Sequence, residues 1–112
     1  MTRVYLSAPI TGTTDYASRF KTAEDIINEY TGFECINPAK VNGELPKSFS
    51  HNEYMHISRV LIEFCGAIVL LNGWEKSKGC REEVDMAILL DMMIFDGIDS
   101  FRRYAEQESK KD

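Results

Sequence analysis

Four short β-type runs alternate with longer helical runs along the chain, and this alternation limits the possible folds more than any other feature. The third run, at 67–71, contains only apolar residues, as expected of a strand that is covered on both faces. Short strands separated by helices favour right-handed crossovers and a parallel sheet. The sequence therefore predicts the α/β class, with one domain over residues 1–112.

Apolar spacing and breaker residues set the predicted boundaries. The predicted strands are 3–8, 33–37, 67–71 and 92–95. The predicted helices are 16–30, 52–64, 79–91 and 98–107, whereas 39–50 and 72–78 are predicted loops. Four successive βα units favour a flavodoxin-like three-layer sandwich, with a parallel sheet of four to five strands in the order 2-1-3-4.

Composition excludes several classes of protein. The chain has 112 residues, of which 44% are apolar, and a formal net charge of −5. This apolar content is enough for one core, and the negative charge disfavours binding to nucleic acid polymers. No apolar run approaches the roughly 20 residues that cross a bilayer, and the N-terminus lacks a signal-peptide pattern. We therefore expect a cytoplasmic protein with no membrane partner.

Cysteines and histidines give no metal-binding pattern. Cys35, Cys65 and Cys80 form no CxxC pair, and the chain has only two histidines, His51 and His56. Thiols that are buried and reduced are the simplest interpretation. The sequence predicts neither a metal site nor a cofactor.

Two loops are expected to meet at the point where the strand order reverses, because ligands of doubly wound sheets bind there, outside the carboxyl ends of the strands. These loops are 7–15 and 72–78. Each precedes a helix N-terminus, which favours an anion such as phosphate. Simple helix capping by their Ser, Thr and Gly residues is the alternative. Neither loop has the spacing of a P-loop or of a dinucleotide-binding motif.

Glu83 stands in a largely apolar row of the third predicted helix, with Cys80, Ala87 and Leu90. A carboxylate in such a row is costly unless it is paired, hydrogen-bonded or functional. The alternative is a first-turn glutamate that only stabilises its own helix. Tyr5 is either a core residue or a hydroxyl directed at Glu83. Trp74 either stacks on a base or sugar, or fills the end of the sheet.

Three segments resemble one known family. They are 4–12, 37–39 and 70–83 with Ala87, and the most specific part is the pattern GW-x-x-S-x-G-x-x-x-E that begins at Gly73 and ends at Glu83. The chain is similar over residues 3–95 to the nucleoside 2-deoxyribosyltransferase-like superfamily, and most of all to a small branch found in phages and bacteria. The flavodoxin-like fold of that superfamily agrees with the fold predicted here.

The resemblance implies a function and a set of site residues. Members cleave the N-glycosidic bond of deoxynucleosides or their 5′-monophosphates and pass the deoxyribosyl group to another base or to water. By this resemblance Glu83 is the nucleophile, Tyr5 holds it, Ser77 binds phosphate and Gly79 allows the backbone to approach. The implied substrate-binding set also includes Ser7, Pro9, Ile10, Thr11, Gly12, Asn72 and Trp74, with Thr11 standing where members have an arginine.

One departure bears on catalysis. Members carry an aspartate at the start of the third strand, where this chain has Gly66. Glu53, His56 and Glu75 stay open as substitutes for that acid. A protein that binds a nucleotide without cleaving it is therefore the alternative function, and a fold that has lost its site is a third.

The apolar residues of the third predicted helix also concern assembly. They exceed what one face of a sheet requires. They favour a homodimer formed through this helix, or a helix that is fully buried in a monomer. The expected partners are a small nucleoside or nucleotide and a second copy of the chain.

Overall fold

The computed structural model describes residues 1–10 and 14–109 and contains one all-parallel sheet. Its strands are β1 (Thr2–Ser7), β2 (Phe33–Ile36), β3 (Ala67–Leu70) and β4 (Met93–Asp96). Their order is β2-β1-β3-β4, so the predicted fold class and strand order are confirmed, with four strands rather than five. The order reverses between β1 and β3, where Tyr5 pairs with Ile68.

Five helices connect and flank these strands. They are α1 (Tyr16–Asn28), α2 (Pro38–Gly43), α3 (His51–Glu63), α4 (Lys78–Leu89) and α5 (Ile98–Ser109). A 3-10 turn at Trp74–Lys76 lies inside the predicted loop 72–78. None of the described helices has the length and hydropathy that a membrane span requires.

The prediction of a loop throughout 39–50 was wrong. Helix α2 begins at Pro38, and the side chain of Asn37 accepts a hydrogen bond of 3.0 Å from the Ala39 N–H. An asparagine N-cap followed by proline is a strong start signal for a helix. It outweighs the turn tendency of Asn42 and Gly43, so one short helix forms before the chain turns.

Helix α3 begins one residue earlier than predicted because of a capping box. The Ser50 side chain accepts from the Glu53 N–H, and the Glu53 carboxylate accepts from the Ser50 N–H at 2.8 Å. This reciprocal pair satisfies two donors of the first turn. It makes His51 the first helical residue.

The alternation of side chains along the strands divides the core into two layers. One face of the sheet carries Val4, Leu6 and Val69, and α1 and α5 cover it with Phe20 and Phe101. The opposite face carries Tyr5, Ile68 and Leu70, and Ile62 of α3 and Ala87 of α4 pack on it. In β1, therefore, Tyr5 and Ser7 point towards α3 and α4.

Helix α4 is only partly buried. Cys80, Glu83 and Ala87 are its buried residues. Ile88 is 61% exposed and Leu89 is 85% exposed. The alternative of a helix fully buried in the monomer is therefore wrong, and the last turn presents apolar side chains to solvent.

Candidate functional site

The loops that follow β1 and β3 lie side by side. The Leu71 N–H donates to the Ser7 carbonyl oxygen at 2.8 Å. Gly73 adopts a φ of 90°, and a Cβ on it would lie 3.4 Å from Cγ of Pro9. Positive φ and this close approach both favour glycine. The first loop, as far as Pro9, and the second loop thus form one rim at the carboxyl edge of the sheet.

Glu83 lies under this rim and is the central polar group of the site. Its side chain reaches β1, although the residue itself is only 8% exposed. The Tyr5 hydroxyl donates to Oε2 at 2.5 Å, and the Ser7 hydroxyl donates to Oε1 at 2.7 Å. Each carboxylate oxygen therefore has its own hydroxyl donor.

Local structure explains this convergence. Tyr5 and Ser7 are two residues apart in one strand, so both side chains leave the same face of the sheet. Glu83 is the sixth residue of α4 and shares its buried side with Cys80 and Ala87. It is not in the first turn, so the alternative of a glutamate that merely stabilises the helix start does not describe it. Tyr5 is both a core residue and a donor to the carboxylate, because it is buried and its hydroxyl donates to Glu83.

Ser58 of α3 is a third polar residue of this cluster, and the sequence reasoning missed it. It is buried, and its hydroxyl lies within hydrogen-bonding reach of both the Tyr5 hydroxyl and the Glu83 carboxylate. The available signal was the spacing of Met55, Ser58 and Ile62, which places a serine on the buried side of an amphipathic helix. A buried hydroxyl in that position requires a polar partner.

Burial dominates the electrostatics of the pair. Desolvation raises the pKa of Glu83 above its usual value, although hydrogen bonds from Tyr5, Ser7 and Ser58 lower it in part. Desolvation, followed by the nearby Glu83 charge, raises the pKa of Tyr5 well above its usual value. The phenol therefore stays protonated and donates to a carboxylate that is more basic than an exposed one.

The N-terminus of α4 forms one wall of the site. Ser77 is the N-cap, and its hydroxyl accepts from the Cys80 N–H at 3.2 Å. The prediction that Ser77 caps a helix is thus confirmed. Gly79 faces α3, where a Cβ on Gly79 would lie 3.4 Å from Sδ of Met55 and 3.6 Å from Cε1 of His51. Its missing side chain lets the starts of α3 and α4 pack closely, with room for no more than a methyl group between them.

Trp74 and Asn72 contribute to the rim in different ways. The indole is half-buried against the core layer under α3 and α4, and its N–H donates to Asp96 at 3.1 Å. The ring therefore fills the sheet end in part and keeps some exposed surface. Asn72 is exposed, and its carbonyl accepts from the Arg19 guanidinium at 2.6 Å. This contact ties the rim to α1.

The first loop is described only in part. Pro9 and Ile10 are half-buried, and Ile10 packs against the opposite core layer, under α1 and α5. Thr11 and Gly12 lie outside the described residues. In the described part of this loop, the Ser7 side chain contacts Glu83.

The open candidates for a substitute acid lie away from the carboxylate. Glu53 belongs to the capping box of α3, and His56 borders a separate groove with Phe49 and Ile57. Glu75 is an exposed residue of the 3-10 turn.

Gly66 itself is remote from the pocket. A side chain there would meet Thr2 at 3.4 Å, at the amino end of β1. Glu83 instead contacts Tyr5 and Ser7, further along the strand. The glycine therefore removes nothing from the immediate surroundings of Glu83.

Comparison with known proteins gives a family and no function. Among curated proteins and among solved structures, no significant match is found. The model of one family, described as a domain of unknown function (DUF4406), matches residues 2–96. The matched region contains all four strands and the whole Tyr5, Ser7, Ser58 and Glu83 cluster. The chain therefore belongs to the DUF4406 family.

Proposed function

We propose that this chain is a cytoplasmic enzyme that breaks the N-glycosidic bond of a deoxynucleoside or deoxynucleotide, with Glu83 as the nucleophile. The observation that supports this most is the buried carboxylate that two hydroxyls of β1 and one of α3 surround. It lies at the carboxyl edge of the sheet, where ligands of this fold class bind. The resemblance to the deoxyribosyltransferase-like superfamily supports the same role.

The reaction has two steps. An oxygen of Glu83 forms a bond to C1′ of the sugar while the C1′–N bond breaks, and the base leaves with the electron pair and gains a proton. Water or a second base then attacks C1′, and Glu83 departs as a carboxylate. The incoming nucleophile loses a proton in this step. Hydrolysis and transfer thus share one glycosyl-enzyme intermediate.

The hydroxyl cluster suits this chemistry. Donors on both oxygens fix the orientation of the carboxylate before substrate binds, which lowers the cost of reaching the reactive geometry. Burial raises the pKa of Glu83 and makes the ionised group a stronger nucleophile. Tyr5 is a positioning residue in this scheme, because it acts on the sugar only through Glu83.

The rim supplies the proposed substrate contacts. Ser77 and Gly79 stand at the N-terminus of α4, the helix that carries Glu83, and its N–H groups suit a phosphate, with Lys76, Lys78 and Arg81 nearby in the sequence. The exposed part of the Trp74 ring suits stacking on a base or sugar. Ser7, Pro9, Ile10, Thr11, Gly12 and Asn72 complete the proposed binding set.

Release of free base tests the proposal directly. The protein is incubated with a panel of deoxynucleosides and their 5′-monophosphates, with and without a second base, and the products are separated chromatographically. We expect wild type to release base and Glu83→Gln to be slower by roughly 10⁴-fold or more. Glu82→Gln is the matched control, because Glu82 is half-exposed and lies 3.9 Å from Lys78.

Three outcomes would contradict the proposal. If wild type releases no base but calorimetry detects a bound nucleotide that is recovered intact, the chain is a nucleotide-binding protein. If no nucleotide binds, the fold lacks a functional nucleotide site. Equal rates for wild type and Glu83→Gln would exclude Glu83 as the nucleophile.

We also propose that the protein is a homodimer. Helices α3 and α4 both return from the carboxyl edge to the amino edge of the parallel sheet, so their last turns lie at one edge. These turns expose the apolar side chains of the amino-edge patch, namely Val60, Phe64, Ile88, Leu89 and Leu90. A cluster of large exposed apolar residues is typical of a protein interface.

A further inference from the structure

A cavity of about 480 Å³ lies between the first half of α1 and the start of α5, with the end of β3 beneath it. We call it the α1–α5 cavity. Its polar lining residues are Ser18, Arg19, Thr22, Asn72, Asp96 and Asp99. Leu71 at its base belongs to the core layer under α1 and α5, whereas Glu83 contacts the opposite face of the sheet. The sheet therefore separates this cavity from the Glu83 site.

The position and size of the α1–α5 cavity are those of a small-molecule site. It opens at the carboxyl edge of the sheet, where ligands of this fold class bind. Its volume falls within the range of about 300–1,000 Å³ that is typical of such sites. Ala23 and Ile26 of α1 and Ile98 of α5 add an apolar lining. This combination of apolar wall and few polar groups suits a flat ring.

Arg19 provides hydrogen-bond donors on the α1 side. Its Nη2 donates to the Asn72 carbonyl oxygen at 2.6 Å, which holds the guanidinium at the edge of the sheet. Within residues 1–10 and 14–109 it forms no ion pair with a carboxylate. A guanidinium carries five N–H donors in a fixed plane. The donors on Nε and Nη1 therefore remain for the acceptors of a ligand.

Asp96 and Asp99 provide negative charge on the α5 side. One oxygen of Asp96 accepts from the Trp74 indole N–H at 3.1 Å, and Asp99 lies 3.9 Å from Arg102. Two carboxylates disfavour an anion such as phosphate, and the Arg19 charge disfavours a cation. The cavity thus suits a neutral ligand that carries acceptors at one edge and donors at the next.

We propose that the α1–α5 cavity binds a 6-oxopurine base, and guanine best of all. O6 and N7 of guanine accept together from an arginine fork, here that of Arg19. The adjacent N1–H and N2–H groups donate to the carboxylates on the α5 side. Adenine presents a donor at position 6 in place of this acceptor. The proposal goes beyond the proposed reaction and does not depend on it.

Titration with purine nucleosides tests the proposal. Trp74 is the single tryptophan of the chain and is hydrogen-bonded to Asp96, so its fluorescence reports on the cavity, while calorimetry gives the stoichiometry. We expect one guanosine per chain, about 10- to 100-fold weaker binding of adenosine, and inosine between the two. Glu83→Gln, which lacks the proposed nucleophile, should bind guanosine with the wild-type dissociation constant.

Two variants of α1 locate the bound base. Arg19→Gln should weaken guanosine binding by about 10- to 100-fold, because it removes the fork. Thr22→Phe should weaken it at least as much, because Thr22 is exposed and lines the cavity, so the ring fills the space without entering the core. Arg59→Gln, at an exposed arginine of α3, is the control and should bind as wild type does.

Three results would overturn the assignment. They are the absence of saturable guanosine binding, equal affinities for guanosine and adenosine, and unchanged binding in Thr22→Phe. Loss of binding in Glu83→Gln would also overturn it, because the base would then occupy the Glu83 site. A wild type that releases no base but binds guanosine in the expected way contradicts the proposed reaction and supports this site.

Discussion

The Tyr5 hydroxyl and Oε2 of Glu83 lie 2.5 Å apart, although 78 residues separate them in the chain. One belongs to the first strand and the other to the second turn of α4. The contact thus forms only in the folded sheet. There β1 has α4 on one face, and the layer formed by α1 and α5 on the other. It also joins a phenol that burial keeps protonated to a carboxylate that burial makes more basic. This one hydrogen bond therefore depends on the strand order and also orients the proposed nucleophile.

Removal of the Tyr5 hydroxyl should impair the reaction more than the fold. A hydrogen bond to a charged group contributes about 1.5–3 kcal/mol, so Tyr5→Phe should lower kcat by roughly 10- to 100-fold. The KM should change little, because Tyr5 acts through Glu83. Tyr104→Phe, the same change in the opposite helix layer, is the control. A kcat equal to that of wild type would show that the hydroxyl does not position the nucleophile.

The acid side of the pH–rate profile should reflect the burial of Glu83. The nucleophile must be ionised, and its pKa is raised from the usual 4.5 because burial disfavours the charge. Activity should therefore fall at a higher pH than an exposed glutamate would give. Tyr5→Phe removes a donor that favours the ionised form and should move the fall to still higher pH. Titration of the substrate is common to both enzymes and cancels in the comparison. An unchanged profile would contradict this account.

Neutralisation of Glu83 should stabilise the protein above mildly acidic pH. The folded pKa exceeds the unfolded one, so between the two values the folded state holds a proton that the unfolded state has lost. The contribution of this group to the free energy of unfolding is therefore complete below the unfolded pKa and is lost as pH rises through the folded pKa. Glutamine does not ionise, so Glu83→Gln does not lose unfolding free energy in this way as pH rises.

Denaturant unfolding between pH 4 and 7 measures this effect. The unfolding free energy of Glu83→Gln minus that of wild type should increase with pH, because the other carboxyl groups cancel. Glu82→Gln should give a smaller increase, because the Glu82 charge is one minor cause of the raised Glu83 pKa and its removal reduces that rise only in part. A difference that decreases with pH for Glu83→Gln would mean that the hydroxyl donors, and not burial, dominate the pKa of Glu83.

The sequence predicted the sheet well because its signals are local and repeated. The apolar run at 67–71 and the helical spacing between the strands predict a parallel α/β sheet, and the flavodoxin-like fold hypothesis supplied the strand order 2-1-3-4. Boundaries that depend on caps were less predictable. A helix that was not predicted begins at Pro38, and the Ser50 cap moved the start of α3 by one residue, because a single hydrogen-bonded cap decides where a helix begins.

Of the site, the sequence indicated Glu83 and left its surroundings open. The apolar row on α4 showed that the carboxylate needed partners, and Tyr5 was a candidate. Ser58 was missed, because no local pattern tells whether a buried serine of α3 meets a strand or another helix. The sequence placed Gly66 at the start of the third strand, and the structure agrees, since a Cβ on Gly66 would lie 3.4 Å from Thr2 at the amino end of β1.

A side chain at Gly79 should lower activity without lowering the stability of the fold. Alanine at this position would make ordinary contacts of 3.4–3.6 Å with Met55 and His51, and alanine favours a helix over glycine by about 0.5–1 kcal/mol. Gly79→Ala should thus unfold at the same or slightly higher denaturant concentration, while kcat/KM or nucleotide affinity falls because the added methyl group hinders the approach of a phosphate to the backbone at the start of α4. Gly43→Ala, where nothing lies within 4 Å, is the control. Full activity in Gly79→Ala would exclude a close approach of substrate to the backbone at this residue.

The amino-edge patch should control assembly independently of the site. Leu89 is 85% exposed, so Leu89→Lys leaves the monomer core intact but puts a charge into the proposed interface, where its desolvation is costly. Sedimentation equilibrium should then show a dimer for wild type and at least a 10-fold weaker dimer for Leu89→Lys, which corresponds to about 1.4 kcal/mol. Ser48→Lys adds the same charge at an exposed loop residue away from the patch and should stay dimeric. A monomeric wild type, or equal dissociation constants for all three proteins, would exclude this interface.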